Sequence, residues 1–285
     1  MAATGMPPWA TLVLAAQEDP MTTHEPGTPE GTSPPVLMET SDGVMVITIN
    51  RPSARNAVNL AVAEGIAAAL DDLDARDDLH VGIITGAGGT FCAGMDLKAF
   101  LRGETPTLPG RGFAGITSRP PAKPLIAAVE GYALAGGCEI ALACDMVVAA
   151  RSAQFGIPEV RRGLAAAANG LLRLPERIPR NVAMELALTG DFLPAERGHA
   201  LGLVNRLTDD GAALDGARQL AGSIAANGPL AVRATKRVIV ESPAWPAGKR
   251  AELQQEILGP LFISQDAQEG ARAFAEKRAP QWRGR

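Results

Sequence analysis

The chain has 285 residues, 46% of them hydrophobic and 20% charged, proportions of a globular protein large enough to bury a full core. A net charge of −4 argues against nucleic acid as the main partner, and no apolar run reaches the length of a membrane span. Cys92, Cys138 and Cys144 lack disulfide-framework spacing and read as free thiols of a reducing, cytoplasmic compartment, while His24, His80 and His199 are too scattered to suggest a metal site.

The first 50 residues contain no Lys or Arg, so neither a secretory n-region nor an arginine-rich transit peptide is expected. Residues 25–35, dominated by Pro, Gly, Thr, Ser and Glu, read as disordered; residues 1–35 are therefore taken as a tail, with Met21 an alternative start. Residues 37–40 and 44–49, joined by Asp42-Gly43, predict a hairpin. Asn59 is suited to cap a helix running to about residue 74, with apolar positions at Leu60, Ile66, Leu70 and Leu73.

Residues 81–85 predict a buried strand that enters a glycine-rich turn, Thr85-Gly86-Ala87-Gly88-Gly89-Thr90-Phe91-Cys92-Ala93-Gly94-Met95-Asp96-Leu97, with Asp96 as the cap of a short helix. Residues 103–112, rich in Gly, Pro and Thr, are expected to be mobile. A strand at 125–129 leads into a second small-residue bend, Gly131-Tyr132-Ala133-Leu134-Ala135-Gly136-Gly137-Cys138-Glu139, and a helix over 136–144. A strand over 146–149 is followed by Ala153-Gln154-Phe155-Gly156-Ile157-Pro158-Glu159, which sets a second carboxylate after a proline-fixed turn. Residues 201–205 read as a short strand, and helices are predicted at 212–226, 230–241, 249–258 and 265–277.

Glycine lets the backbone approach a ligand, and the first turn of a helix offers N–H groups with no internal partner, which suit an oxyanion. A glutamate one turn further on the same face reaches the same bound group. For one such bend alone, the lesser alternative is a strand-to-helix turn that needs glycine for packing. Two donor loops and two glutamates together are the parts needed to polarise a carbonyl and move a proton beside it. Neither turn carries the Lys-Ser/Thr of a phosphate-binding loop, and no G-x-G-x-x-G opens a helix, which disfavours a nucleotide-phosphate site.

The segments running from Phe91 to Leu97, from Gly131 to Glu139 and from Phe155 to Glu159 resemble the enoyl-CoA hydratase/isomerase (crotonase) family, and the likeness extends from about Val36 to the C-terminus. The resemblance implies an α/β fold, a spiral of ββα units over residues 36–227, followed by a C-terminal helical lobe at 228–285 that packs homotrimers or homohexamers. It also implies hydration of trans-2-enoyl-CoA, with no metal or redox cofactor and with coenzyme A as part of the substrate. The backbone N–H groups of Met95 and Gly136 are then the oxyanion hole. Glu139 holds and activates water for attack at Cβ, and Glu159 delivers a proton to Cα. Arg55, Ala57, Ala93, Asp96, Leu97 and Lys98 fall where the family touches coenzyme A and the thioester arm, with Lys277 reaching a site from the late helices. Phe113 and Ile116 fall where an acyl pocket is lined.

The chain departs from the family after Glu159. Ala165-Ala166-Ala167-Ala168-Asn169-Gly170 replaces a Pro-Gly-Ala-Gly-Gly-like loop, leaving the Ala167 N–H to orient water and Asn169 to take a left-handed conformation. Arg161 and Arg162 stand where hydrophobic residues are common. Rival readings are an isomerase or another reaction on the same fold, for which one glutamate suffices, and non-catalytic acyl-CoA binding; retention of both glutamates favours hydration.

Overall fold

The computed structural model describes residues 33–285. The tail reading for residues 1–32, including the alternative start at Met21 and His24, lies outside the described residues. Pro34 and Pro35 are already fixed, since their carbonyls accept hydrogen bonds from the side chain and backbone N–H of Asn50.

Strands β1 (Val36–Ser41) and β2 (Val44–Ile49) pair antiparallel down to Ser41 opposite Val44. The turn between them holds Asp42 and Gly43 at φ +52° and +75°, the left-handed pair a two-residue hairpin turn requires. Asn59 caps α1 (Leu60–Ala75) by accepting the Val62 N–H at 3.1 Å. There follow β3 (Val81–Gly86), the short α2 (Leu97–Leu101), and a small hairpin of β4 (Thr107–Leu108) and β5 (Gly112–Phe113). Next come β6 (Leu125–Val129), β7 (Tyr132–Leu134) and α3 (Gly136–Ala143), then β8 (Met146–Ala150) and β9 (Gln154–Gly156). A 3₁₀ turn, Pro158–Arg162, leads to α4 (Gly170–Arg177) and α5 (Arg180–Thr189). The chain continues through β10 (Leu193–Pro194), α6 (Ala195–Leu201) and β11 (Arg206–Thr208). It ends in α7 (Ala213–Ala225), α8 (Pro229–Glu241), α9 (Arg250–Leu258) and α10 (Gln265–Glu276).

The main sheet runs β1-β2-β3-β6-β8-β11 and is parallel from β2 onward. Its inner strands β2, β3, β6 and β8 are buried on both faces, which is why they read as continuous apolar runs. Val44, Val46, Val81, Ile83, Ile126, Ala128 and Val148 meet Ala217 and Ala221 of α7. The alternate residues Met45, Ile47, Ile49, Ile84, Leu125 and Val147 join α1 and α3 in the larger core.

Two sequence expectations need correction. Residues 103–112 are not a bare mobile loop: they carry the β4–β5 hairpin, which drives Phe113 and Ile116 into the core. Residues 201–205 are not a strand. Helix α6 stops at Gly202, whose φ is +94°, and the N–H groups of Leu203 and Val204 turn back onto Gly198 O. Leu203 and Val204 are apolar because they anchor this helix stop in the core, and the strand begins only at Arg206.

The late helices are tied to the sheet by one lysine. Lys236 Nζ of α8 donates to Pro121 O, Lys123 O and Asp145 Oδ2 at 2.8, 2.9 and 2.6 Å, and Asp145 in turn accepts the Leu125 N–H. Lys236→Met leaves that carboxylate without its cation. The pair is partly exposed, so the loss is expected to fall short of a wholly buried pair, at about 2 kcal/mol or a Tm decrease of roughly 4–8 °C in thermal denaturation.

Candidate active site

Strands β2, β3, β6 and β8 of the main sheet hand the chain to a second layer of short pairings, and these align the loop ends. Val58 lies beside Met95, Cys92 beside Ala133, and β7 beside β9, all parallel. Cys92 N–H donates to Tyr132 O, Cys92 O accepts from Leu134 N–H, and Ala135 N–H donates to Gly156 O. The motifs around Met95, Gly136 and Glu159 are thereby fixed to one another by backbone alone.

Met95 and Gly136 meet at a tight crossing. A Cβ added to Gly94, whose φ is +100°, would lie 2.9 Å from Ala135 Cβ and 3.2 Å from Gly136 N. Only glycine fits there, and its fit brings the two donor peptides side by side. Ala135 itself sits at φ +51°, ψ −126°, a conformation that L-residues rarely hold. This strained residue turns the chain sharply from β7 into α3, leaving the Gly136 N–H at the first helical position, where no intrahelical acceptor exists. A Cβ on Gly136 would strike the Phe113 ring at 2.4 Å, so Phe113 borders the same space.

Glu139 is buried one turn into α3, and its Oε1 accepts the N–H groups of Ala168 and Gly170 at 2.7 and 2.9 Å. Burial raises its carboxyl above the usual range, with Glu159 adding to the rise, while the two N–H bonds and Arg173 draw it down. Glu159 stands in the 3₁₀ turn after β9. Burial raises its carboxyl too, and its Oε2 is buried with no hydrogen-bond partner among the described residues. Glu139 is thus held by two N–H groups, and burial pushes both carboxyls toward keeping a proton.

The enoyl-CoA hydratase/isomerase family model matches residues 39–285. The chain belongs to this family. Among curated relatives it is 42% identical to the enoyl-CoA hydratase EchA19 of Mycobacterium tuberculosis over 88% of this chain and 97% of that one. It is 39% identical to the mevalonyl-coenzyme A hydratase sidH of Aspergillus fumigatus over 84% and 91% of the two chains. The crystal structure of the enoyl-CoA hydratase EchA1 of Mycobacterium marinum superposes with a TM-score of 0.88 at 64% identity, covering 89% of this chain and all of that one. The expected α/β spiral of ββα units with a helical C-terminal region is this family's fold.

Other family positions divide by what their side chains do. Asp96 is committed structurally: Oδ1 caps the Ala99 N–H and Oδ2 pairs with Arg51 at 3.0 Å, both side chains largely buried. Arg51 Nη1 also holds Ala57 O, and the buried Asn56 amide donates to Ala87 O and Thr90 O. These bonds weld the Arg55–Ala57 corner to the Met95 loop. Arg55 is exposed, and its carbonyl accepts the Ala93 N–H. Leu97 and Lys98 are exposed on α2, and Lys277 is exposed after α10.

The departures after Glu159 are resolved by geometry. Asn169 adopts φ +72°, as expected, and its amide donates to Thr117 O. The donors that reach Glu139 are Ala168 and Gly170; the Ala167 N–H is not one of them. Arg161 and Arg162 are exposed, and Arg161 binds Thr189 O and Asp191. Sequence reading gave Arg173 and Thr117 no role; their pattern signal was only that of a helix and a loop.

Proposed function

We infer that the chain hydrates trans-2-enoyl-CoA thioesters to 3-hydroxyacyl-CoA. The observation that carries this reading is the placing of buried Glu139 and half-buried Glu159 with the backbone donors of the Met95–Gly136 crossing. The thioester oxygen is bound by the N–H groups of Met95 and Gly136, which are preset for the enolate that forms as water adds. Water sits between Glu139 and Glu159. Glu139 accepts its proton as the oxygen bonds to Cβ, the Cα–Cβ double bond becomes an enolate, and Glu159 protonates Cα as the enolate collapses. Both carboxylates lie on one side of the bound thioester, so addition is syn. These residues perform the chemistry, with coenzyme A entering only as part of the substrate.

Arg55 and Lys98 are the exposed cations that meet the phosphates of coenzyme A, and Ala57, Ala93 and Leu97 border the thioester arm. The chain acts in the cytoplasm as a homotrimer or homohexamer built through residues 228–285. In support, α8, the 3₁₀ turn Gly259–Ile263 and α10 expose Ile239, Ile263 and Phe274 at 67, 83 and 88% of their area. Lys277 stands on this lobe, placed to serve a neighbouring copy's site.

The reading is tested by loss of enoyl-thioester absorbance across pH. Hydration is expected to give a bell-shaped kcat/KM profile. Burial lifts both carboxyls above the ordinary carboxylate range, so the acid limb, where Glu139 loses its proton, and the alkaline limb, where Glu159 loses its own, both lie above that range. Absence of turnover at every pH, or an alkaline limb lying within the ordinary carboxylate range, contradicts the assignment.

A further inference from the structure

Among the described residues, three buried side-chain polar atoms lack a hydrogen-bond partner: Glu159 Oε2, Thr117 Oγ1 and Arg173 Nη1. The first belongs to the catalytic pair. The other two meet each other's residues, because Arg173 Nη2 donates to Thr117 O at 2.8 Å. Asn169 Nδ2 donates to the same carbonyl at 2.9 Å. Asn169 is flanked by Ala168 and Gly170, the two residues whose N–H groups hold Glu139.

The path of α4 places Arg173 beside α3. Gly170, at its start, binds Glu139, and Arg177, near its end, caps the carbonyls of Cys144 and Asp145 at the end of α3. Arg173 lies between them, one turn from each, on the same helical face. No carboxylate forms a salt bridge with its guanidinium among the described residues, and a half-buried cation left this way is costly unless a nearby charge compensates. Charges facing Arg173 are Arg177 and Glu176 on its own helix, Cys144, whose thiol burial keeps neutral, and Glu139 from α3. Those facing Glu139 are Glu159 from the 3₁₀ turn and Arg173.

We propose that Arg173 is a positioning residue for hydration: it clamps Thr117 O beside Asn169, steadies the Ala168–Gly170 cradle, and sets its positive charge facing Glu139, the carboxylate that takes the proton from water. Its charge acts on Glu139 in a partly buried site, where such an interaction is stronger than in water. This rests on Glu139 being the carboxylate that activates water.

The test compares Arg173→Gln, which keeps a donor for Thr117 O without the charge, with Arg173→Lys, which keeps the charge. Removing the positive charge raises the Glu139 pKa, and the acid limb of kcat/KM marks loss of that proton. In Arg173→Gln the limb is expected to move about one pH unit upward, with kcat down about tenfold and KM little changed. In Arg173→Lys the limb stays in place. A purely structural arginine would lower Tm in both variants and leave the limb unmoved, which overturns the proposal. Should Arg173→Gln fail to fold, the infrared difference between the protein and Glu139→Gln at pH 7 decides. An ionised-carboxylate band supports the proposal, and a protonated-carboxyl band overturns it. If Glu139→Gln retains full turnover, the role of Glu139 itself falls; if that variant is inactive while the Arg173→Gln limb stays put, only the role of Arg173 falls.

Discussion

Glu139→Gln and Glu159→Gln are each expected to lower the kcat of enoyl-CoA hydration by at least about a hundredfold, with KM for the thioester changing far less. The substitutions are conservative in the structure. At position 139 the amide oxygen still accepts the Ala168 and Gly170 N–H groups, so the cradle survives while the base is lost. At position 159 the orphaned Oε2 becomes part of a group that cannot deliver a proton. The double variant is expected to be scarcely worse than either single one, because the two groups act on one water. Steady-state kinetics checks this, with thermal melts to confirm that both variants fold. Full activity in either single variant contradicts the shared-water account.

Gly137→Ala is expected to be the most damaging small substitution in the site. The added Cβ would stand 2.1 Å from Cys92 O and 2.8 Å from Cys92 C, both backbone atoms that no rotamer can move. That same carbonyl accepts the Leu134 N–H, so making room breaks the pairing that seats the Met95 loop against α3. We expect about 3 kcal/mol of destabilisation, a Tm decrease of roughly 6–12 °C. Surviving folded protein should also lose about a hundredfold in kcat as the two oxyanion donors fall out of register. Gly222→Ala in α7 is the control. Nothing lies within 4 Å of its added Cβ, and the exchange should leave activity unchanged and raise stability by about 0.5–1 kcal/mol. Melting curves and initial rates on the two variants separate the outcomes.

The parts of this molecule that announce themselves in sequence are those governed by local chemistry. Asn59 and Asp96 cap the helices they were expected to cap, and Asp42-Gly43 closes its hairpin, because side-chain acceptors and left-handed backbone are properties of a few adjacent residues. Glu139 stood out as a carboxylate one turn past a glycine bend, and Glu159 as a second one after a proline-fixed turn. What stayed hidden depends on residues distant in the chain. Leu203 and Val204 looked like a strand because burial against Gly198 and the core makes the same apolar pattern as a ladder. Phe113 and Ile116 looked like loop residues because only the β4–β5 hairpin turns them inward. Asp96 was legible as a helix cap, and its carboxylate's attachment to Arg51 becomes visible only when the two loops meet. Arg173 carried no signal at all, since a single arginine on a helix is ordinarily a solvated one.

The central claim is that water is added across the double bond by the carboxylate pair, and its most direct test is enoyl-CoA turnover in oxygen-18 water. The account predicts loss of enoyl-thioester absorbance with one heavy oxygen at C3 of a 3-hydroxyacyl-CoA product, and loss of both signals in Glu139→Gln and Glu159→Gln. A product that carries a shifted double bond and no heavy oxygen, or a bound thioester that never turns over, would contradict it.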